Sequence, residues 1–397
     1  MIKAGYKQTE VGVIPDDWEV KAVEEISDVR SGKRLPLGNS LTDKETPYPY
    51  IRVADMEIGT IVLDDIKYIP PDVYPCIKNY RIFEEDIFIS VAGSLGIVGK
   101  IPSQLNGANL TENADRLTKI SIDRDYLMYM LMSPLIQNTI ESEKTLGAQP
   151  KLALIRIRQF NIPLPPTKTE QTAIAKALSD TDALIQSLSQ LIAKKRQIKQ
   201  GAMQTLLNPY DETGALKTGW VVKNLGDIFE ITAGGDLRKS EFSNVQNENY
   251  SYPIYSNAHT KEGLYGYCQT YDHEGQVITI SARGGIGYAV SRNHKFAAIG
   301  RLLILKPNQD TECRYVAEYI NLKIEFANES TSVPQLTAPQ VAKYKISLPQ
   351  YKEQTKTAQI LTDMDTEITA LETKLRKYQK IKQGMMQNLL TGRIRLV

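Results

Sequence analysis

IKQGAMQTLL, at residues 198–207, returns near the other end of the chain as IKQGMMQNLL, at residues 381–390. A shift of 183 positions aligns residues 170–207 with 353–390 without a gap, and 18 of the 38 positions are identical. Both segments open Glu-Gln-Thr and continue Leu-x-Asp-x-Asp, at Leu178, Asp180, Asp182 and at Leu361, Asp363, Asp365. The correspondence runs outward. At an offset of 202, Glu10, Gly12, Ile14 and Trp18 match Glu212, Gly214, Leu216 and Trp220, which include both tryptophans of the chain. At 191, Ser90, Gly93 and Gly96 match Ser281, Gly284 and Gly287. Arg116-Leu117 pairs with Arg301-Leu302, and Pro150-x-Leu152 with Pro334-x-Leu336. Order is kept while the offset shrinks, so the chain reads as a tandem duplication with a shorter second copy.

Each copy has two parts. The first mixes short strand-like runs, such as IFIS at residues 87–90 and LLILKP at 302–307, with Gly, Pro and Asn punctuation. Helical stretches are expected near residues 126–140 and 314–326. The second part is a long helix. Leu361, Met364, Ile368, Leu371, Leu375 and Tyr378 keep a 3/4 rhythm, as do Ile174, Leu178, Ile185, Leu188 and Ile192 before Lys194-Lys195-Arg196 interrupts. A helix of about 38 residues is roughly 57 Å long at 1.5 Å per residue. Its apolar stripe needs a partner, and the other copy supplies one. Gly201 and Gly384 fall inside these helices, where glycine costs about 1 kcal/mol relative to alanine, and so suggest close helix packing or a shared helix end. The expected fold is α+β: two mixed globular domains separated by two long helices packed as an antiparallel coiled coil, with an internal pseudo-twofold axis. The boundaries read 1–165, 166–208, 209–349 and 350–397.

Composition sets the class. At 397 residues, with 42% apolar and 24% charged residues, this is the make-up of a soluble globular protein of two or three domains. No stretch approaches the roughly 20 apolar residues of a membrane span, and the start has no signal-peptide core. Three scattered cysteines favour a reducing cytoplasm. The net charge of +2 neither demands nor excludes nucleic acid, but local runs are basic. Residues 373–397 hold seven Lys and Arg and no acid, and residues 281–307 and 145–169 are also free of acids.

Catalytic motifs are imitated but not completed. Residues 93–101 resemble a phosphate loop with Ser94 and Ile101 standing where glycine and a hydroxyl residue are needed. The RGGIG at residues 283–287 is followed by no glycine-bound helix. The three histidines lack metal-ligand spacing. Two residues apart on a helix, Asp180 and Asp182 do not face each other. The chain reads as a non-catalytic binding device.

Two diverged modules suit a ligand with two similar but non-identical sites, and duplex DNA is such a ligand. EQTAIAKALSDTDALIQSL with IKQGAMQTLL, and EQTKTAQILTDMDTEITAL with IKQGMMQNLL, resemble the two central repeats of specificity subunits of type I restriction–modification systems. TEVGVIPDDW, the SGK at residues 31–33, and the IPLPP and LPQ that lead into the helices extend the resemblance over essentially the whole chain. It implies two target-recognition domains that read a split, asymmetric DNA sequence. The helices would dock two methyltransferase subunits, with restriction/translocase subunits joining them. S-adenosylmethionine, ATP and Mg belong on those partners, and no cofactor or metal is expected on this chain. The alternative is a scaffold whose two modules bind proteins or peptides.

DNA-contact candidates are the polar tips of corresponding loops: Lys33, Arg34, Gly93 and Ser94, with Arg238, Lys239, Arg283 and Gly284; Arg116 and Arg301 are secondary. Glycine in such loops lets backbone N–H groups approach phosphate. Partner-docking or helix-interface candidates are Leu178, Asp182, Leu188 and Gly201, with Leu361, Asp365, Leu371 and Gly384. Tyr48, Tyr50, Tyr252 and Tyr255 read as core or strand residues.

Overall fold

The chain is described from a computed structural model over residues 4–142, 151–327 and 335–396; Pro150, Pro334 and part of the basic run at 145–169 lie outside these. Its residues gather into two compact units, Met1–Leu188 with Lys374–Val397, and Ser189–Thr373.

In the first unit Ile87-Phe88-Ile89 is a continuous apolar run, which marks a strand covered on both faces. It forms the middle of an antiparallel sheet of β1 (Asp28–Ser31), β2 (Ile87–Ser90), β3 (Val98–Lys100) and β4 (Ala114–Thr118), in the order β3-β2-β4-β1. Ile87 and Ile89 join a core with Tyr126, Leu127 and Met130, whereas Phe88 points into a smaller cluster with Ile51 and Ile82. The expected helix near 126–140 is two helices, α1 (Arg124–Leu131) and α2 (Pro134–Ser142). Pro134 opens the second, where its missing N–H leaves no bond unmade. Then comes α3 (Lys168–Leu206).

The second unit repeats this plan. Strands β5 (Phe229–Ala233), β6 (Gln276–Ile280), β7 (Ala289–Asn293) and β8 (Leu303–Pro307) lie in the order β7-β6-β8-β5, and α4 (Cys313–Lys323) covers them. The chain closes with α5 (Tyr351–Leu389).

Both 39-residue helices contribute to both units. Within the first, Thr181 meets Met385 and Lys382 binds Asp182 at 2.6 Å, so the strip of α3 there runs antiparallel to that of α5. Within the second, Lys199 binds Asp365 at 2.6 Å and Lys195 binds Glu367 at 2.7 Å, again antiparallel. Leu178, Leu188, Ile192, Leu361 and Ile368 are buried, and Leu371 is partly so. The Lys194–Arg196 stretch does not break the helix; Lys195 and Arg196 hold Glu367 and Glu372. Of the readings for Gly201 and Gly384, close packing is not what the structure has: among the described residues a Cβ on either would meet nothing within 4 Å.

The repeated Glu-Gln-Thr has a structural cause in its glutamine. Gln171 is buried, donates to the Pro165 carbonyl at 3.0 Å and accepts from the Asp123 N–H at 2.9 Å. Gln354, equally buried, does the same with Pro349 and Glu312. Each glutamine ties the start of a long helix to the cap of the helix that covers its sheet. Among the described residues no helix is long and apolar enough to cross a membrane, and no cluster of three or more His, Cys, Asp and Glu could hold a metal.

Candidate nucleic-acid interface

One end of each four-stranded sheet collects the loops that the sequence marks. In the first unit these follow β1, follow β2 and precede β4. Gly32 N–H donates to the Ala114 carbonyl at 3.0 Å and Lys33 N–H to Leu110 at 2.8 Å, while Val91 N–H donates to Asn113 at 2.8 Å. A Cβ on Gly32 would sit 2.1 Å from the Thr111 carbonyl oxygen, so only glycine lets these strands meet. The second unit repeats the join: Gly234 N–H donates to Leu302 at 2.7 Å and Gly235 N–H to Ala298 at 3.0 Å.

The glycine loops after β2 and β6 are one structure built twice. The Ser90 hydroxyl donates to the Ser94 carbonyl at 2.5 Å and accepts from Ile97 N–H at 2.8 Å. Ser281 does the same with Gly285 at 2.5 Å and Tyr288 at 3.0 Å. Gly93 and Gly96 take φ of +77° each, and Gly284 and Gly287 take +72° and +93°, the left-handed region that favours glycine. Each serine hydroxyl thus holds the loop from beneath and leaves Gly93, Ser94, Arg283 and Gly284 exposed.

Lys33 is exposed beside the Tyr80 ring, and Arg34 forms a 2.9 Å ion pair with Glu112. Arg238 is committed elsewhere, to Asp272 at 2.7 Å and Thr270 at 2.9 Å; the Asp272 carboxylate raises its affinity for its proton. Lys239 beside it is exposed.

The pairing of Arg116 with Arg301 is overturned by the sheet register. Arg116 faces Phe88 and Arg30, and Ile304 holds the matching place, facing Thr279 and Thr232. Arg301 instead occupies a turn before β8 with φ of +66°. Arg116 is half-buried within its strand, with Nε and Nη1 lacking hydrogen-bond partners. Burial lowers its pKa; nearby Asp86 opposes that shift, and Arg30 and Arg81 add to it.

Three residues of this end had no mark in the repeat. Asp115 is 1% exposed, neither of its carboxylate oxygens has a hydrogen-bond partner, and burial pushes its pKa up. Asn257 donates to the Gly300 carbonyl and accepts from Ala282 N–H, both at 2.7 Å. His259 Nε2 lies 2.7 Å from the Gly285 carbonyl. The tyrosines serve structure: Tyr48 stacks on Tyr74 at 3.7 Å, Tyr50 donates to the Lys33 carbonyl, Tyr252 lies against Tyr271, and Tyr255 carries Arg292 on its ring. Burial pushes the Tyr50 hydroxyl up to about 12.

Two sheet ends built alike and edged with different side chains are what a reader of two unlike half-sites requires. The sequence profile of the type I restriction modification DNA specificity domain matches residues 15–198 and again 217–383. The chain belongs to the type I restriction–modification specificity subunits. A specificity subunit of Methanocaldococcus jannaschii, that of the type I restriction enzyme MjaX, is 28% identical over 98% of this chain and 97% of its own length. The MjaVIII specificity subunit from the same organism is 24% identical over 96% and 94%. The crystal structure of a type I S subunit from M. genitalium shares the fold, with a TM-score of 0.62 at 19% identity over 94% of this chain and 96% of that one. As a specificity subunit with two target-recognition domains, the chain does not favour the scaffold alternative.

Proposed function

We propose that this specificity subunit reads a split, asymmetric DNA sequence, one half-site per target-recognition domain, through the loop-bearing end of each four-stranded sheet. The observation that carries this reading is the twice-built loop set at Gly32, Gly93 and Ser94 and at Gly234, Gly284 and Gly285, whose framework hydrogen bonds match while the flanking side chains differ. Exposed Lys33 and Arg283 supply phosphate contacts, which position the protein, and the divergent side chains meet base edges, which specify sequence.

The long helices dock two methyltransferase subunits, and restriction/translocase subunits complete the assembly in the cytoplasm. Adenine methylation with S-adenosylmethionine, and ATP- and Mg-dependent cleavage, take place on those partners. The identical helix positions support equivalent docking surfaces for two copies of one partner.

The test is adenine methylation across the genome of a methylation-free host that expresses the neighbouring methyltransferase with and without this chain. A split motif that depends on the chain is expected, and exchanging residues 209–349 should alter one half of it only. A soluble, co-purifying methyltransferase that leaves no chain-dependent motif would overturn the reading.

A further inference from the structure

Leu37 is the most exposed of the large hydrophobic residues among those described, at 104%; Ile58 follows at 75%. Single exposed leucines are ordinary on protein surfaces, but this one stands at the tip of a closed turn with packed stems. Pro36 to Asn39 form a turn closed by the Asn39 N–H on the Pro36 carbonyl at 3.1 Å, with Gly38 at φ of +86°. Both stems are anchored, because Leu35 and Leu41 pack into the cluster of Tyr50, Ile69 and Ile77. Lys33 and Arg34 stand at the root of the same loop.

The duplication supplies a comparison within one molecule. Leu35 corresponds to Leu237, which likewise packs into a small core, with Ile254 and Ala297. Beyond that shared anchor the tips part: Pro36-Leu37-Gly38 in the first module, Arg238-Lys239-Ser240 in the second. The framework is kept and the tip changes from apolar to charged. A leucine offers phosphate nothing, whereas apolar side chains meet thymine methyl groups or wedge into base steps.

On the DNA-recognition reading given above, we infer that Leu37 makes an apolar contact with the bases of the half-site read by the first module. Cations at the loop root hold the backbone, and the tip contributes to specificity.

The experiment uses the chain in complex with its methyltransferase, bound to a duplex carrying the split motif. Failure of the wild-type complex to prefer that duplex over random DNA overturns the function reading and this inference together. With that preference in hand, Leu37→Ala should weaken cognate binding roughly tenfold, the scale of one lost base contact. The slope of affinity against salt should stay unchanged, as should the urea midpoint and the penalties for changes in the other half-site. Leu37→Met should stay near wild type. Replacing thymines of the first half-site by deoxyuridine separates the two contacts. A penalty seen in wild type and absent in Leu37→Ala identifies a methyl contact, and a Leu37-dependent 2-aminopurine signal at one base step identifies a wedge. Cognate affinity within twofold of wild type for Leu37→Ala, or equal losses on cognate and random DNA, would sink the inference.

Discussion

Lys382 binds Asp182 at 2.6 Å, and the corresponding pair with the copies exchanged, Lys199 and Asp365, meets at the same distance. Asp182 also accepts from the Tyr129 hydroxyl at 2.9 Å, and Asp365 from Arg314 at 2.5 Å. Each aspartate therefore ties its own helix to the strip of the other helix in that unit and to the helix over the sheet.

These pairs are partly exposed, so the Lys382–Asp182 coupling should be only about 0.5–1 kcal/mol in a double-mutant cycle read by urea unfolding. Asp365→Ala should be the more salt-sensitive loss, because it leaves two cations, Lys199 and Arg314, sharing a single carboxylate, Glu318. Equal losses at all salt concentrations would argue against this charge arrangement.

Gln171→Leu strands the Asp123 N–H and the Pro165 carbonyl in a buried place. Such unsatisfied groups cost about 1–3 kcal/mol, and Gln354→Leu should cost a similar amount. Urea midpoints measure both; a neutral result would mean that water reaches these groups.

Glycines divide into two kinds. Gly32→Ala drives a Cβ into the Thr111 carbonyl and Gly234→Ala drives one to 2.7 Å from Ala298, so both should destabilise the sheet end and impair DNA binding. Gly201→Ala and Gly384→Ala meet open space within helices and should stabilise the isolated chain by about 1 kcal/mol each. Loss of methyltransferase binding in either helix variant would show that the partner approaches the backbone there. Thermal unfolding and co-purification read the two effects separately.

Lys33→Ala and Arg283→Ala should each reduce the slope of log affinity against log salt by about 1, with similar losses on cognate and altered sequences. A loss confined to one sequence would instead make that residue a base reader.

Asp115 gives a pH signature. Burial raises its pKa in the folded state above the ordinary aspartate value of about 3.9, against the pull of the cations Lys151 and Arg158. The folded state therefore bears the cost of a buried carboxylate above the folded pKa, and that cost is relieved as pH falls through it. Asp115→Asn should then stabilise the chain by about 1–2 kcal/mol at pH 7 and make no difference below about pH 4. A loss of stability at pH 7 would mean that the charge is compensated.

Much of this architecture can be read from the chain alone, because duplication writes each element twice. Helix periodicity is local: an apolar residue every three or four positions specifies both an amphipathic helix and the stripe it must cover. The seam through Leu178, Leu188, Leu361 and Ile368 was legible for that reason, as were the loops around Gly93 and Gly284, whose positive φ glycine alone tolerates readily. Strand register is not local. Arg116 and Arg301 share a neighbour, leucine, yet hydrogen bonds between distant strands place Ile304 opposite Thr279 and leave Arg301 on a turn. The roles of Asn257, Asp115 and Arg238 likewise depend on groups brought near by folding, which no spacing in the sequence encodes. Gly201 and Gly384 make the same point: a repeated glycine announces a constraint, but only the packed structure shows that no neighbour among the described residues imposes it.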